Sequence, residues 1–505
     1  MKLVFVLFDS LNRKALEPYG GTYVKTPNFN RFAEKAITFD KHYVGSLPCM
    51  PARRDMHTGR INFLHRNWGP LEPFDNSFPD LIKSNGGYGH IITDHYHYFH
   101  DGGATYHTRY NSWEIIRGAS TDDWKGIVEP NMEKISKNYH KKQIRPFTKN
   151  DLINRTYKYS EEDFSCPQIF CLADDFLDVN SKADNWLLQI ESFDPHEPFY
   201  APKRFRKEYP CSYEGAVFDW PMYDRVDETS EEIAEVRANY AAITSMCDEY
   251  FGKLLDKFDK LDLWEDTALI LTTDHGFLLG EHEWWGKNLM PVYDELARIP
   301  LMIYHPDYAN NGGEMRHSLT QVTDLTPTVL EWFGVGIPSE TTGKSLSLVL
   351  ERDQKIRDTA IYGYFGAACN ITDGRYTYLR YPKKLSADGL YEYTLMPTRF
   401  GRRFSIEELI DATLSPPFNF TKGVPTLKVY PMKNKDGEAS AMDGLFSFKD
   451  ASTRLYDTKS DPKQANSITN NEVEERLCKE MHRQLLLHDA PDEIFKRLGI
   501  EKFTY

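Results

Sequence analysis

The chain has 505 residues, a net charge of −14 and 40% hydrophobic residues, with 30 Tyr, 30 Phe and 9 Trp. A chain of this length exceeds the size at which one hydrophobic core keeps growing, so we expect two domains. The negative charge disfavours nucleic acid as the main partner, because phosphate binding needs a basic face. It leaves open an anionic substrate, since a few Arg, Lys and His side chains can form a local positive pocket.

The cysteines and the amino terminus indicate the compartment. Seven cysteines are scattered along the chain without a Cys-x-x-Cys pair, which favours a reducing environment. The apolar run in MKLVFVLFDS is shorter than the core of a signal peptide and much shorter than a membrane span. We therefore expect a soluble, cytoplasmic protein with no membrane partner. An export signal that had been trimmed and replaced by a start Met would leave the same sequence.

The first two thirds of the chain alternate between strand and helix patterns. Short apolar runs predict strands that are buried on both faces, at Leu3–Phe8, His90–Thr93, Trp186–Glu191 and Ala268–Thr273. Amphipathic patterns between and after them predict helices at Asn28–Lys35, Phe78–Ser84, Glu231–Phe258 and Asp324–Phe333. This alternation predicts an α/β fold, with a large mixed, mostly parallel sheet flanked by helices.

The pattern changes near residue 355. Ile361–Tyr364 and Arg375–Leu379 alternate as antiparallel strands do, and Gly374 supplies a turn between them. We therefore expect a large domain over residues 1–355 and a smaller α+β subdomain with an antiparallel sheet over residues 356–505. Residues 100–180 are polar and aromatic without clear periodicity, which indicates an insertion or a lid within the large domain.

Polar residues follow the predicted strands where a parallel sheet binds its ligands, beyond the carboxyl ends. Asp9 and Ser10 follow the first strand, and Asp274 and His275 follow a later one. Two carboxylates and an imidazole suit a divalent cation. Oxygen ligands favour Ca²⁺ or Mg²⁺, while the His widens the choice to Mn²⁺ or Zn²⁺. For each Asp taken alone, the alternative to metal binding is a structural role: Asp9 would cap a helix and Asp274 would belong to a turn.

Cys49 lies in the sequence Pro-Cys-Met-Pro-Ala-Arg of residues 48–53, followed by Thr58-Gly59. Pro51 predicts the start of a helix, because its fixed φ and missing N–H suit the first turn. A side chain at this start faces free N–H groups and the positive end of the helix dipole, which suits a reacting anion. The alternative is a buried structural cysteine.

Three more polar side chains lie in loops. His97 ends the stretch Asp-His-Tyr-His, Pro195 and Pro198 flank His196, and Lys287 follows Trp-Trp-Gly. The prolines restrict the loop around His196. The tryptophans offer apolar surface to the stem of Lys287, whose ammonium group could then face an anion. A solvated loop residue is the alternative for each.

This ordered set of residues resembles the type I, formylglycine-dependent sulfatases of the alkaline-phosphatase superfamily. Cys49-x-Pro51-Ala52-Arg53 with the downstream Thr-Gly is similar to the Cys-x-Pro-Ser/Ala-Arg motif of that family. The blocks 273–287, 324–328 and 455–466 are similar to later family segments and follow in the same order. The likeness covers most of the chain and makes residues 1–355 the sulfatase-like catalytic domain.

The resemblance implies the cofactors and the site residues. A maturation enzyme would oxidise Cys49 to formylglycine. One divalent metal, foremost Ca²⁺ with Mn²⁺ and Mg²⁺ as alternatives, would be bound by Asp9, Cys49, Asp274 and His275. The hydrated aldehyde would attack sulfur, giving a covalent sulfated intermediate and a free alcohol. The catalytic residues implied are Cys49, Arg53, His97 as base, His196 as acid and Lys287, and the substrate-binding residues are His95, His196 and Lys287.

Three residues depart from the family pattern. Ser10 stands where many members have a second Asp, His95 where many have a Lys, and Met50 where a small residue is usual. The first two departures resemble the phosphonate monoester and phosphodiester hydrolases of the superfamily. The leading hypothesis is hydrolysis of a sulfate ester on a sugar or another small organic molecule. The alternatives are a phosphonate monoester or phosphodiester hydrolase with the same nucleophile, and an unconverted protein that only binds anions.

Overall fold

The computed structural model describes residues 1–399, 401–441 and 446–503, and an eight-stranded sheet is its main feature. In chain order, its strands β1–β8 are Lys2–Phe8, Ile37–Phe39, Tyr88–Thr93, Ser112–Ile115, Trp186–Ser192, Thr267–Thr272, Leu301–Tyr304 and Met315–Arg316. In spatial order they run β8-β2-β7-β6-β1-β5-β3-β4. The strand β7 is antiparallel to both neighbours, and the other described pairs in this sheet are parallel. The predicted fold class is confirmed.

The first strand lies near the centre of the sheet and is buried on both faces. Val4, Val6 and Phe8 contribute to one hydrophobic cluster, while Leu3, Phe5 and Leu7 contribute to another. The strand β1 pairs with β5 over Lys2–Phe8 and with β6 over Lys2–Leu7. These three strands therefore end side by side, and the residues that follow them share one edge of the sheet.

Helices cover both faces of the sheet, and the four predicted helices are present. The longest helix, Ser230–Lys260, begins with a capping box. In this box, Thr229 Oγ1 accepts from the N–H of Glu232 at 3.2 Å, and the Glu232 carboxylate accepts from the N–H of Thr229 at 2.8 Å. One face carries the helices Pro27–Ala33, Ser165–Asn180 and Ser230–Lys260, and the other carries Cys49–Thr58, Phe78–Ser84 and Leu325–Trp332.

The segment 100–180, predicted as an insertion or a lid, is divided in the structure. The strand β4 forms one edge of the main sheet, and the Ser165–Asn180 helix packs Ile169 and Phe170 into the main core. Between them, residues 116–164 hold only the short helices Met132–Ser136 and Lys149–Arg155 among one-turn and irregular segments. Residues 116–164 therefore lie outside the main sheet and its long helices, and the insertion or lid itself stays a prediction.

The predicted antiparallel sheet is present in the C-terminal region. Its hydrophobic cluster also contains Tyr43, Phe63 and Trp284, so this region packs directly on the larger part of the chain. The domain boundary at residue 355 stays a prediction. The strands are Ala360–Gly363, Cys369–Thr372, Tyr376–Arg380 and Arg454–Asp457, with the helices Asn471–Leu487 and Asp492–Leu498 beside them.

Shorter elements complete the part of the chain that the structure describes. Within that part, none of the helices combines the length and the apolar character that crossing a membrane requires. The short helices are Lys203–Arg206, Asp294–Ala297, Ser347–Arg352 and Ile406–Leu409, and the short strands are His42–Tyr43, Asp224–Arg225, Leu278–Leu279, Trp284–Gly286, Thr320–Gln321, Glu392–Thr394, Thr398–Arg399, Arg402–Arg403, Thr413–Ser415, Thr426–Val429, Ser440–Ala441 and Phe446–Ser447.

Phe251 of the longest helix tests the main core. Its ring lies 6.5 Å from that of Phe8 and 5.3 Å from that of Phe29, measured between centroids. Phe251→Ala should lower the free energy of unfolding by about 3–5 kcal/mol, because it removes buried apolar contacts and leaves a cavity. Phe147→Ala, whose residue is 55% exposed, should cost less than about 1 kcal/mol. Denaturant unfolding measures both, and equal losses would contradict the placement of Phe251 in the core.

Candidate active site

The four predicted metal ligands meet at the carboxyl ends of the central strands. Asp9 follows β1, Asp274 and His275 follow β6, and Cys49 is the first residue of the Cys49–Thr58 helix. Their ligand atoms all lie within 4.8 Å of one another, and the four residues are buried. The Cys49 Sγ lies 3.2 Å from Nε2 of His275. The structure therefore brings these four side chains together, and their binding of a metal stays a prediction.

Arg53 joins this cluster to a third strand end. Its Nη1 donates to Asp274 Oδ2 at 2.6 Å, its Nε donates to Glu191 Oε1 at 2.7 Å, and its Nη2 lies 3.0 Å from Asp9 Oδ2. Nη1 also donates to the carbonyl of Cys49 at 3.2 Å. Arg53 is 2% exposed. Because a buried charge is tolerated only when it is paired, the three carboxylates hold the guanidinium group in one position.

The electrostatics of the cluster differ from group to group. Burial opposes the ionisation of Asp9, but the charges of Arg53 and Lys287 prevail and lower the pKa of this carboxyl to about 2. For Glu191, burial prevails over Arg53 and raises the pKa. Burial, followed by the charge of Asp9, raises the pKa of the Cys49 thiol well above its ordinary value. The neighbouring positive charges thus favour the ionised form of the Asp9 carboxylate despite its burial.

Ser10 occupies the position at which the family resemblance expects a second carboxylate. Its Oγ donates to Asp9 Oδ1 at 2.7 Å and accepts from Lys287 Nζ at 2.8 Å. Its N–H donates to Asp274 Oδ1 at 3.1 Å. The hydroxyl therefore links Lys287, which is 1% exposed, to the carboxylates, and it leaves the site with one negative charge fewer than an Asp would.

The three predicted histidines border the cluster. His95 Nε2 lies 3.9 Å from Asp9 Oδ2, and the centroid of its ring is 5.3 Å from that of His97. His97 Nδ1 lies 3.2 Å from Nδ1 of His100. His196 stands on the loop after β5, and its neighbour Glu197 has Oε2 3.8 Å from Nζ of Lys287. Burial lowers the pKa of His95, His97 and His196 well below the ordinary value.

Three residues of this site carry no predicted role in the sequence analysis: Glu191, Glu197 and Tyr223. A signal existed for Glu191, because a carboxylate near the end of an otherwise apolar strand is costly unless it is paired. Glu197 stands between His196 and Pro198 in a loop that the prolines already marked. Tyr223 lies in a segment without a sequence signal, and its hydroxyl donates to Oε1 of Glu197.

The residues fit a divalent cation. Asp9 Oδ2 and both ring nitrogens of His95 are buried and have no hydrogen-bond partner among the described residues. Two carboxylates, an imidazole and the side chain at position 49 form a donor set that suits such a cation. Asp9 Oδ2 is paired only by charge, with Nη2 of Arg53 at 3.0 Å, and buried polar atoms without hydrogen bonds are uncommon in folded proteins. A charged ligand bound beside these atoms would therefore be stabilised.

Comparison with known proteins gives family matches over most of the chain. Residues 2–335 match the family described as Sulfatase, and residues 280–403 match the C-terminal family of N-sulphoglucosamine sulphohydrolase. An N-acetylglucosamine-6-O-sulfatase of Bacteroides thetaiotaomicron is 26% identical over 416 residues, which cover 72% of this chain and 74% of that protein. The multifunctional alkaline phosphatase superfamily protein PehA of Trinickia caryophylli is 26% identical over 368 residues, covering 64% and 71%.

Two solved structures are similar along nearly the whole chain. The first, of BT4656 in complex with its substrate D-glucosamine-2-N,6-O-disulfate, has a TM-score of 0.64, 18% identity and coverage of 99% and 98%. The second is the phosphonate monoester hydrolase of Agrobacterium radiobacter, with a TM-score of 0.64, 16% identity and coverage of 96% and 95%. At these identities, the likeness shows a common fold.

A divalent cation should stabilise the protein, because a ligand that binds only the folded state raises the free energy of unfolding. At a cation concentration 100 times the Kd the gain is about 2.7 kcal/mol. Asp274→Asn should remove most of this gain, since it removes one carboxylate charge from the donor set. Thermal unfolding of metal-free protein with added Ca²⁺, Mn²⁺ or Mg²⁺ measures the effect.

Asp248→Asn is the matched control. Asp248 is also buried, and it accepts from the N–H groups of Asn28 and Phe29 at 3.1 and 2.7 Å, away from the strand ends. This variant should keep the rise in Tm that the cation causes. An undiminished rise in Asp274→Asn would contradict the proposed donor set.

Proposed function

The chain belongs to the sulfatase family of the alkaline-phosphatase superfamily, and we propose that it hydrolyses the sulfate ester of a saccharide or another small organic molecule. The observation that carries this proposal is the convergence of Cys49, Arg53, Lys287 and two carboxylates at one edge of the sheet. An N-acetylglucosamine-6-O-sulfatase among the relatives and the glucosamine disulfate bound to BT4656 support a sulfated sugar as substrate.

The proposal includes two groups that this chain would acquire. Oxidation of Cys49 to formylglycine by a maturation enzyme would supply a hydrated aldehyde as nucleophile. A divalent cation, foremost Ca²⁺ with Mn²⁺ and Mg²⁺ as alternatives, would supply positive charge against the sulfate oxygens, bound by Asp9, Asp274, His275 and residue 49. Arg53 lies one helical turn after residue 49, and its guanidinium group donates a hydrogen bond to the backbone carbonyl of that residue. This hydrogen bond helps to fix the position of residue 49.

Lys287 and Arg53 provide the fixed positive charge of the site. Ser10 orients the ammonium group of Lys287 through a hydrogen bond of 2.8 Å, and carboxylates orient the guanidinium group of Arg53. Donors that are already oriented stabilise developing negative charge without reorganising during the reaction. In this proposal, Lys287 and His95 bind the sulfate oxygens, while Arg53 holds the nucleophile.

His196 and His97 are the proposed proton carriers, as acid toward the leaving alcohol and as base toward the nucleophile. Nδ1 of His196 donates to the backbone carbonyl of Glu197 at 2.5 Å, which leaves Nε2 for the substrate. Burial lowers the pKa of both rings, and the negative charge of a bound sulfate ester would favour their protonation.

Specific observations favour a second candidate function, the hydrolysis of a phosphonate monoester or phosphodiester. The phosphonate monoester hydrolase of Agrobacterium radiobacter shares the fold, and PehA is a relative. In this chain, the Ser10 hydroxyl replaces a carboxylate and His95 replaces a lysine. The same nucleophile would attack phosphorus in place of sulfur.

Two esters with the same leaving group separate the candidates. We expect a kcat/KM for 4-nitrophenyl sulfate that exceeds the kcat/KM for 4-nitrophenyl phenylphosphonate by about tenfold or more, a difference of about 1.4 kcal/mol. The physical reason is that the terminal oxygens of sulfate match the polar groups of His95 and Lys287 and the charge of the proposed cation, whereas a phosphonate phenyl group does not. Release of nitrophenolate measures both rates, and the reverse preference would establish the second candidate.

Substitution of the nucleophile precursor and of the lysine tests the proposed roles. Cys49→Ala should lose all turnover, and Lys287→Ala should lower kcat by about 10²–10³-fold, as removal of an oriented donor does. Cys171→Ala and Lys463→Ala change exposed residues of the same types and should keep full activity.

Mass spectrometry of the peptide that contains Cys49, from a host with the maturation enzyme, should show the aldehyde in place of the thiol. An intact thiol together with no turnover would favour an anion-binding protein. Normal activity of Cys49→Ala or of Lys287→Ala would refute the role given to that residue.

A further inference from the structure

Buried Glu197 and half-buried Tyr223 form a pair between His196 and Lys287, and we propose that this pair positions His196 as the proton donor. Oε2 of Glu197 lies 3.3 Å from Nδ1 of His196 and 3.8 Å from Nζ of Lys287, while Oε1 accepts from the hydroxyl of Tyr223. Glu197 is 2% exposed. The inference rests on the proposed function, because it concerns the group that stands behind the proposed general acid.

The contacts of His196 define which ring nitrogen can exchange a proton with a substrate. A backbone carbonyl can only accept, so the 2.5 Å contact with the carbonyl of Glu197 requires a hydrogen on Nδ1. The ring of Phe193 packs on the imidazole with 4.1 Å between centroids. These contacts hold His196 in one plane and assign proton exchange to Nε2, as a general acid requires.

The carboxylate of Glu197 also favours the charged form of His196. Oε2 is a buried oxygen without a hydrogen-bond partner among the described residues, and such a group costs free energy. The cost falls when His196 becomes an imidazolium, because the ring facing Oε2 then carries positive charge. When the S–O bond to the alcohol breaks, its electron pair stays on the alcohol oxygen, Nε2 gives its proton to that oxygen, and His196 becomes neutral.

Tyr223 is itself held from several sides. Its ring stacks on Phe446 with 5.5 Å between centroids and meets the edge of Phe277 at 5.8 Å. Gly286 leaves the space for this ring, since a Cβ there would lie 2.7 Å from the nearest ring atoms. Gly286 precedes Lys287, and Phe446 belongs to the C-terminal region. The pair therefore connects the loop of His196 with the loop of Lys287 and with the C-terminal region.

The experiment compares Glu197→Gln and Tyr223→Phe with the wild-type protein on aryl sulfates with leaving phenols of increasing pKa. A poor leaving group needs the proton most. For Glu197→Gln, kcat for phenyl sulfate should therefore fall by about 10²-fold, against less than about tenfold for 4-nitrophenyl sulfate. KM should change little, because neither residue is proposed to bind the sulfate. Tyr223→Phe should shift the same dependence in the same direction, by a smaller factor.

Tyr250→Phe is the matched control, since its hydroxyl donates to the carboxylate of Glu161 at 2.7 Å, away from the site. It should leave the dependence on the leaving group unchanged, and thermal unfolding checks that all variants fold. Equal losses for phenyl and 4-nitrophenyl sulfate in both Glu197→Gln and Tyr223→Phe would overturn the positioning role.

Failure of the proposed function gives a different result. The wild-type protein would then prefer the phosphonate, and the same leaving-group series made as phosphonate esters would test the pair. The ¹⁵N spectrum of His196, assigned by comparison with His196→Asn, tests the pair without turnover. The wild-type protein should carry a hydrogen on Nδ1, and a neutral ring with hydrogen on Nε2 alone would overturn the inference.

Discussion

The geometry of the site depends on the guanidinium group of Arg53, which lies between three carboxylates from three strand ends. Without this cation, Asp9, Glu191 and Asp274 would repel one another at a buried edge of the sheet. Removing one partner from such a buried network costs about 3–5 kcal/mol, because uncompensated charge remains. Residue 49 lies one helical turn before Arg53. The ion pairs that offset the repulsion between the three carboxylates therefore also help to fix the position of the proposed nucleophile.

The same network sets the charge that a substrate would meet. Three carboxylates face the two cations Arg53 and Lys287, and one negative charge is left over. Binding of a divalent cation would change this net charge from one negative to one positive, which matches a singly charged sulfate ester. An Asp in place of Ser10 would cancel that excess. The hydroxyl of Ser10 keeps the orientation of Lys287 without adding the charge, while Glu197 and a protonated His196 would form a separate neutral pair.

The sequence predicted the parts of this arrangement that have a local signal. The apolar runs Leu3–Phe8 and Ala268–Thr273 identify buried strands, and Asp9 and Asp274 follow from where those strands end. The contact of Arg53 with Glu191 has no such signal, because it depends on the pairing of β1 with β5, far apart in the chain. The Ser165–Asn180 helix was missed although it has a local signal, since its buried residues Cys166, Ile169, Phe170, Ala173 and Leu177 recur at helical spacing.

Lys287 shows how two cores position one charge. The tryptophans before it were expected to offer apolar surface to its stem, yet they belong to two different clusters. Trp284 packs into the C-terminal cluster and Trp285 into the main one, because successive residues of a strand point to opposite sides. The strand Trp284–Gly286 is thus anchored in both cores, and Lys287 is the next residue. Since Phe446 holds Tyr223 beside the same strand, the C-terminal region takes part in orienting both the ammonium group and, in our inference, the proton donor.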